Sequence, residues 1–359
     1  MENQTRTSCL ESGENPLGTE KTLVSVIVLN WNGKHLLESS LSSLKNQTYS
    51  PLEVIVVDNG STDDSVSYVE REFPTVRIIR SEKNLGFAGG NNLGLRVAQG
   101  KYIMMLNNDT EVAPNCIEEL VEAAEASPSD VGSWATKVIN YYSRDVIDVC
   151  GIVIYRDGLG RGRGRLEKAK DCFNDPEEIF FISDCGGLYR KTMIDEIGGY
   201  DEDFFNCNEE LDLGFRAQWA GWKSLFIPTA IVYHMYSATM GEYSPKKAFL
   251  TERNRIWTAV KNFPLADLIL SVYYSFKRYI FQAYGALFKR GSAGKFTEKF
   301  STWQLIGILL KAQFAAVLGI PGMWTKRQVI MANRKISNRQ FRRIFEQFGM
   351  TTRELALKD

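Results

Sequence analysis

The sequence predicts an α/β protein in which a mostly parallel sheet flanked by helices is followed by a helical, basic C-terminal region. Three observations predict it. Apolar runs alternate with helical stretches over about ninety residues. Polar side chains collect where those runs end. After residue 248 the composition turns aromatic and basic. With 359 residues, 44% apolar and 24% charged, the chain has enough apolar surface for a core, which excludes disorder throughout. The expected division is a polar, disordered N-terminus over 1–21, an α/β domain over 22–248, and a helical region over 249–359.

The elements follow in order. Leu23 to Leu29 is a near-continuous apolar run, as in a strand buried on both faces. A helix is expected from Lys34 to Asn46, then a second buried strand from Glu53 to Asp58. Ser61 to Asp64 offers cap chemistry for a helix ending near Glu72. Val76 to Arg80 reads as a short strand. The Gly/Asn-rich stretch 84–92 reads as a turn leading into a helix, and Tyr102 to Leu106 as a fourth strand. Such repeats make right-handed βαβ crossovers. Beyond residue 110 the pattern loosens. Arg156 to Arg165 reads as a flexible Gly/Arg loop, Glu209 to Ala220 as a helix, and 225–227 and 230–233 as strands split by Pro228.

In open α/β sheets ligands bind outside the carboxyl ends of the strands. Here those ends carry Asn30 and Asn32, then Asp58 and Asn59, then Asn107, Asn108 and Asp109. Turns favour Asn and Asp for conformational reasons alone, but three such clusters on one edge point to a site.

Charge and cysteine usage narrow the class. The 43 basic and 43 acidic residues cancel, yet Lys277 to Arg343 holds fourteen basic residues and one acid, Glu298. Large apolar groups recur at helical intervals at Ile269, Val272, Phe276, Ile280 and Tyr284. The reading is an amphipathic helix on an anionic membrane surface, with a helix packed on the α/β domain as the alternative. Residues 303–324 are apolar but interrupted by Lys311 and Pro321. The six cysteines form no C-x-x-C pair, and the N-terminus lacks an apolar leader, so reduced thiols in the cytoplasm are expected. No G-x-G-x-x-G follows the first strand, which argues against a dinucleotide-dependent dehydrogenase. No nucleic-acid partner is expected.

The order of motifs resembles the family-two inverting glycosyltransferases of GT-A fold, in particular their rhamnosyltransferase-like branch. The likeness rests on SVIVLNWNG at 25–33, VIVVDNGSTDDS at 54–65, NLGFAGGNNLGL at 84–95 and YIMMLNNDTEV at 102–112. It continues with GGLYRK at 186–191, IGGYDEDFFNCNEELDLGFRAQWAGW at 197–222 and VYH at 232–234.

The resemblance implies transfer of a sugar from a nucleotide-sugar donor, dTDP-rhamnose or a UDP-sugar, with inversion in one displacement. It implies a saccharide acceptor, here read as polyprenyl-diphosphate-linked, and a place on the cytoplasmic face of the membrane. Asp58 corresponds to the residue that accepts from the imide of uracil or thymine, and Asn30, Asn84, Gly89, Asn107 and Asn108 to the donor-binding surroundings. Asn107-Asn108-Asp109 stands where the family has a D-x-D-like motif, so Asp109, with His234, is the expected holder of Mg²⁺ or Mn²⁺. Glu210 matches the general base, a glutamate where aspartate is usual, with Glu209 and Asp212 as further candidates. Gly186 and Gly187 are expected to let the acceptor approach the backbone. A non-catalytic sugar-nucleotide-binding protein of the same fold is the alternative.

Overall fold

The computed structural model describes residues 21–170, 172–235 and 244–357. The expected disordered N-terminus lies, but for residue 21, outside them. The first half alternates as the apolar runs dictate: β1 (Val24–Asn30), α1 (Lys34–Lys45), β2 (Leu52–Asp58), α2 (Ser65–Glu72), β3 (Arg77–Arg80), α3 (Gly86–Val97) and β4 (Tyr102–Asn107). The Gly/Asn stretch is therefore mostly helix, not turn. A Cβ at Gly90 or Gly94 would meet Leu29 or Ile27 of β1, so these glycines let α3 lie close on the sheet.

The middle of the chain is richer in strands than the sequence suggested: β5 (Thr110–Val112), α4 (Cys116–Ala126), β6 (Val131–Asn140), β7 (Ile147–Val149), β8 (Ile152–Ile154), β9 (Gly160–Gly162), β10 (Glu177–Ile179) and β11 (Gly187–Arg190). The Gly/Arg stretch expected to be a loose loop supplies the turn and the second strand of the β8–β9 hairpin. Then come α5 (Lys191–Ile197), α6 (Glu209–Trp219) and β12 (Lys223–His234). Pro228 does not split β12 in two. The register against β6 jumps between Ile227 and Ile231, a bulge that absorbs the proline.

The main sheet runs β10-β12-β6-β11-β4-β1-β2-β3, with β5 on β12 and β7 on β6. The pairings give β1, β2, β3, β4, β6 and β12 one common direction, with the short strands opposed. Both faces are covered, which explains the apolar runs. Val26, Val28 and Met104 meet Leu37, Leu41, Ile117 and Leu120 on one side. Their neighbours Ile27, Ile103 and Met105 belong to the opposite core, which includes Phe180, Phe215 and Phe341.

The C-terminal region is helical: α7 (Pro245–Asn262), α8 (Leu265–Leu287), α9 (Gly291–Lys299), α10 (Thr302–Ala332), α11 (Asn338–Gln347) and α12 (Thr352–Leu357). It shares the core of the preceding domain. Phe341 stacks on Trp219 at 4.3 Å between ring centroids, and Phe345 packs beside it. The five apolar residues picked out at helical intervals on α8 are all solvent-exposed.

Candidate functional site

A cleft of about 530 Å³ opens beyond the carboxyl ends of β1, β2 and β4, within the usual size of a small-molecule site. Asn59, Asn84, Asn107, Asn108 and Asp109 line its sheet side. Glu209, Glu210 and His234 line it from the later elements, and Arg161, Arg165, Lys246 and Lys247 add positive charge. Carboxylates and cations thus face one volume, as an anionic ligand with a proton to lose requires.

One corner collects metal-ligand chemistry. β12 pairs antiparallel with β5, and Met235 N–H donates to the Asp109 carbonyl, which seats His234 beside Asp109. His234 Nε2 lies 3.2 Å from Asp109 Oδ1, and His234 Nδ1 lies 2.6 Å from Asp148 Oδ2. Asp148, Cys185 and His234 bring one donor atom each within 4.8 Å of one another. Burial would lower the His234 pKa, but the neighbouring Cys185, Asp109 and Asp148 raise it well above its ordinary value. Burial pushes the Cys185 thiol up to about 11. Asn107 donates to the Cys185 sulfur at 3.2 Å, so its side chain faces this corner too. The donor set of one carboxylate and one imidazole, with the second ring nitrogen held by Asp148, fits a divalent cation.

The second corner is the start of α6. Three non-glycine residues within four positions, Phe205, Cys207 and Asn208, have positive φ of 64°, 72° and 67°. Side chains rarely adopt this conformation without support. Asn254 of α7 supplies it, donating to the carbonyls of Phe204, Asn206 and Cys207 at 3.0, 2.9 and 2.7 Å. The held loop delivers Glu209 and Glu210 to the cleft. Glu210 Oε2 accepts from Asp184 N–H at 2.9 Å. Burial and then the Asp184 carboxyl raise the Glu210 pKa well above the carboxylate range. Burial also lifts Glu209 to about 8 and Asp184 to about 6. Glu209 is 5% exposed, and its Oε2 has no hydrogen-bond partner.

The remaining residues singled out in the sequence divide. Asp58 closes β2 next to cleft-lining Asn59; it is buried, and its Oδ1 has no partner. Asn84 accepts from Asn59 and from Gly86 N–H, shaping the wall. Asn30 is inside: its Oδ1 accepts from Asn108 Nδ2 at 2.8 Å, tying β1 to the end of β4. Gly89 faces Leu85 and Glu202 rather than the cleft. Gly186 and Gly187 also lie off it. A Cβ there would meet Val232 or Ile182, so these glycines leave room for core side chains.

Asp212 stands apart from the other acids. It is fully buried and accepts from Arg216 Nε at 2.9 Å, Lys261 Nζ at 2.8 Å and Asn262 Nδ2 at 2.8 Å. Burial would raise its pKa, but Lys261 and Arg216 bring it down to about 2. It is an ion-pair centre joining α6 to α7.

Asp148, Asp184 and Asn254 escaped the sequence reading. The first two lie in segments without periodicity. Asn254 lies between two arginines of α7 that are themselves taken up: Arg253 donates to the Asp203 and Phe204 carbonyls, and Arg255 pairs with Glu252 and Asp157.

Residues 25–198 match the family described as glycosyl transferase family 2. An uncharacterized glycosyltransferase of Haemophilus influenzae is 36% identical over 192 residues, 52% of this chain and 56% of that protein. The chain therefore spans little more than half the length of that relative. The N-acetylglucosaminyl-diphospho-decaprenol L-rhamnosyltransferase of Mycobacterium tuberculosis is 24% identical over 272 residues, 66% of this chain and 86% of that one. Among solved structures, a mannosyltransferase from Pyrobaculum calidifontis in complex with GDP-Man and Mn²⁺ has a TM-score of 0.50 at 16% identity, covering 88% of this chain and 86% of its own. GalNAc-T7 with UDP, GalNAc and Mn²⁺ has a TM-score of 0.54 at 19% identity, covering 67% of this chain and 48% of its own. At these identities the solved structures speak for the fold alone.

Proposed function

We propose that this chain, whose residues 25–198 match glycosyl transferase family 2, transfers a sugar from a pyrimidine nucleotide-sugar, dTDP-rhamnose or a UDP-sugar, to a saccharide hydroxyl with inversion. The observation that carries the reading is the single cleft in which Asp109 and His234 face Glu210 across the ends of the parallel strands. Asp58, with an oxygen left unpartnered, accepts the imide N–H of the base, and Asn59 and Asn84 shape the surrounding wall. Asp109 and His234 hold a Mg²⁺ or Mn²⁺ ion, which offsets charge on the leaving diphosphate. Arg161, Arg165, Lys246 and Lys247 add positive potential around the same volume.

Glu210 takes the proton from the acceptor hydroxyl. The Asp184 N–H fixes one of its oxygens, and burial beside the Asp184 carboxyl makes the ionised Glu210 a stronger base than an ordinary carboxylate. The acceptor is a polyprenyl-diphosphate-linked saccharide at the cytoplasmic membrane surface. This is supported by the relative that carries such a lipid in its name and by the exposed apolar helices after residue 264.

The test is a thermal-shift panel of UDP-, dTDP- and GDP-sugars with and without Mn²⁺, followed by transfer to lipid-linked and soluble acceptors. Stabilisation by a pyrimidine nucleotide-sugar that grows with Mn²⁺, followed by transfer, is expected. Binding without any transfer or donor hydrolysis would leave a sugar-nucleotide-binding protein; no binding at all would remove the reading.

A further inference from the structure

A surface helix normally turns its apolar stripe inward and its charges outward. α8 does the reverse. Its inner face carries Arg278, fully buried, which donates to Asp157 Oδ2 and to Glu252 Oε1, each at 2.7 Å. Its outer face carries Ile269, Val272, Phe276 and Ile280 at 54–75% exposure, spaced three and four residues apart. α10 is apolar on both faces, with Ala312, Ala316 and Met323 buried. Trp303, Leu310, Phe314 and Val317 are 60–82% exposed on it. The two helices touch where Gln313 Nε2 donates to Tyr279 OH at 2.7 Å. Exposed apolar side chains in rows on two touching helices mark a surface that another phase or molecule covers.

We infer that α8 and α10 together form one docking face for an anionic bilayer, lying in the membrane interface with neither helix crossing it. The inference deepens and rests on the membrane-proximal reading above. Charge selects the occupant. Of the nine basic residues in 265–332, Arg278, Lys326 and Arg327 bond inward, which leaves six, among them the exposed Lys289, Arg290 and Lys311, against Glu298, since the other acid, Asp267, pairs with Arg342. An anionic lipid surface complements that excess, whereas a second copy related by a two-fold axis would set the same positive field against itself. Exposed Trp303, Tyr273 and Tyr284 are side chains that favour the headgroup level.

Length and tethering exclude a crossing. α10 is long and apolar enough to span by composition. From Ala312 onward, however, it is fastened to α7. Trp257 Nε1 donates to the Ala316 carbonyl at 2.9 Å, Gly319 leaves room for the Trp257 indole, and Arg327 donates to the Val260 carbonyl at 2.9 Å. Lys326 pairs with Asp201 and Asp203. Only residues 302–311 precede the first buried contact, about 15 Å of helix against a hydrocarbon core of about 30 Å.

The experiment is flotation of the full chain with vesicles of phosphatidylcholine alone or with phosphatidylglycerol, for wild type, Phe276→Glu with Ile280→Glu, and Trp303→Glu with Phe314→Glu. Nucleotide-sugar thermal shift, mass in solution and alkaline carbonate extraction accompany it. Expected are flotation with the anionic vesicles only, release by carbonate, and a vesicle-bound fraction lowered about tenfold in either double variant with nucleotide binding unchanged. Absence of wild-type flotation, equal flotation on neutral vesicles, or resistance to carbonate would overturn the inference. So would a dimer that the substitutions dissociate. Wild type that floats as expected but binds no nucleotide-sugar would count against the proposed reaction and not against the docking face.

Discussion

Asp148 Oδ2 lies 2.6 Å from Nδ1 of His234, 86 residues further along the chain, while the other ring nitrogen of that histidine faces Asp109. A carboxylate on one nitrogen fixes the ring's rotation and leaves the opposite nitrogen for a cation. Such partners typically change metal affinity 10–100-fold. Asp148→Ala is therefore expected to weaken Mn²⁺ binding by about 10-fold or more without removing it, and Asp109→Ala to weaken it further. Titration of free Mn²⁺ by electron paramagnetic resonance measures both. Unchanged affinity in Asp148→Ala would separate Asp148 from the cation site.

Asp58 offers a second handle. Its Oδ1 is buried without a partner, a costly arrangement unless a ligand completes it. Asp58→Ala should weaken binding of UDP- or dTDP-sugars by about 1.5–3 kcal/mol, the range for a hydrogen bond to a charged group. Isothermal titration with matched purine and pyrimidine nucleotides reads this out. An equal loss for both classes would mean that Asp58 supports the wall and does not read the base.

The legibility of the molecule follows from where its information lies. The strands β1, β2 and β4 were plain because burial on both faces demands unbroken apolar runs such as Val54 to Val57. Asp109, His234 and Glu210 were reachable because each sits at an element's end within a quoted motif. Gly86 to Asn92 misled because Gly86 and Gly90 serve close packing on Phe205 and Leu29, which local sequence does not show. Asp148 and Asp184 were beyond reach. Their roles come from β7 pairing with β6 and from the approach of residues 183–184 to α6, contacts between distant segments that leave no periodicity. Asp212 looked like its neighbours Glu209 and Glu210; one more step along α6 turns it from the cleft to Lys261.

That difference separates the three acids by experiment. Glu210→Gln keeps the side-chain shape but not the proton acceptor, and single-turnover transfer at saturating donor should fall at least about 10²-fold with donor affinity unchanged. Asp212→Asn should instead destabilise the fold by about 3 kcal/mol, because Arg216 and Lys261 lose a buried counter-charge, while transfer below the melting transition stays close to wild type. An inactive but stable Asp212→Asn would reverse these assignments.

Glu209 makes the remaining prediction, one of sign. Burial raises its carboxyl from an ordinary 4.5 to about 8 in the folded protein. Between those values the folded chain keeps a proton that the unfolded chain has released, so the unfolded state binds fewer protons and stability falls as pH rises. The contribution reaches at most about 1.4 kcal/mol per pH unit and is absent below about pH 4.5. Glu209→Gln removes the titration. The amide it introduces alters stability by an amount that does not vary with pH, so the slope is the quantity to read. The melting temperature of Glu209→Gln relative to wild type should climb steadily from pH 5 to pH 8 and level off above. Asp184, pushed to about 6, titrates in both proteins and cancels to first order in the difference. A difference that is flat with pH would show that Glu209 is ionised in the folded protein at neutral pH.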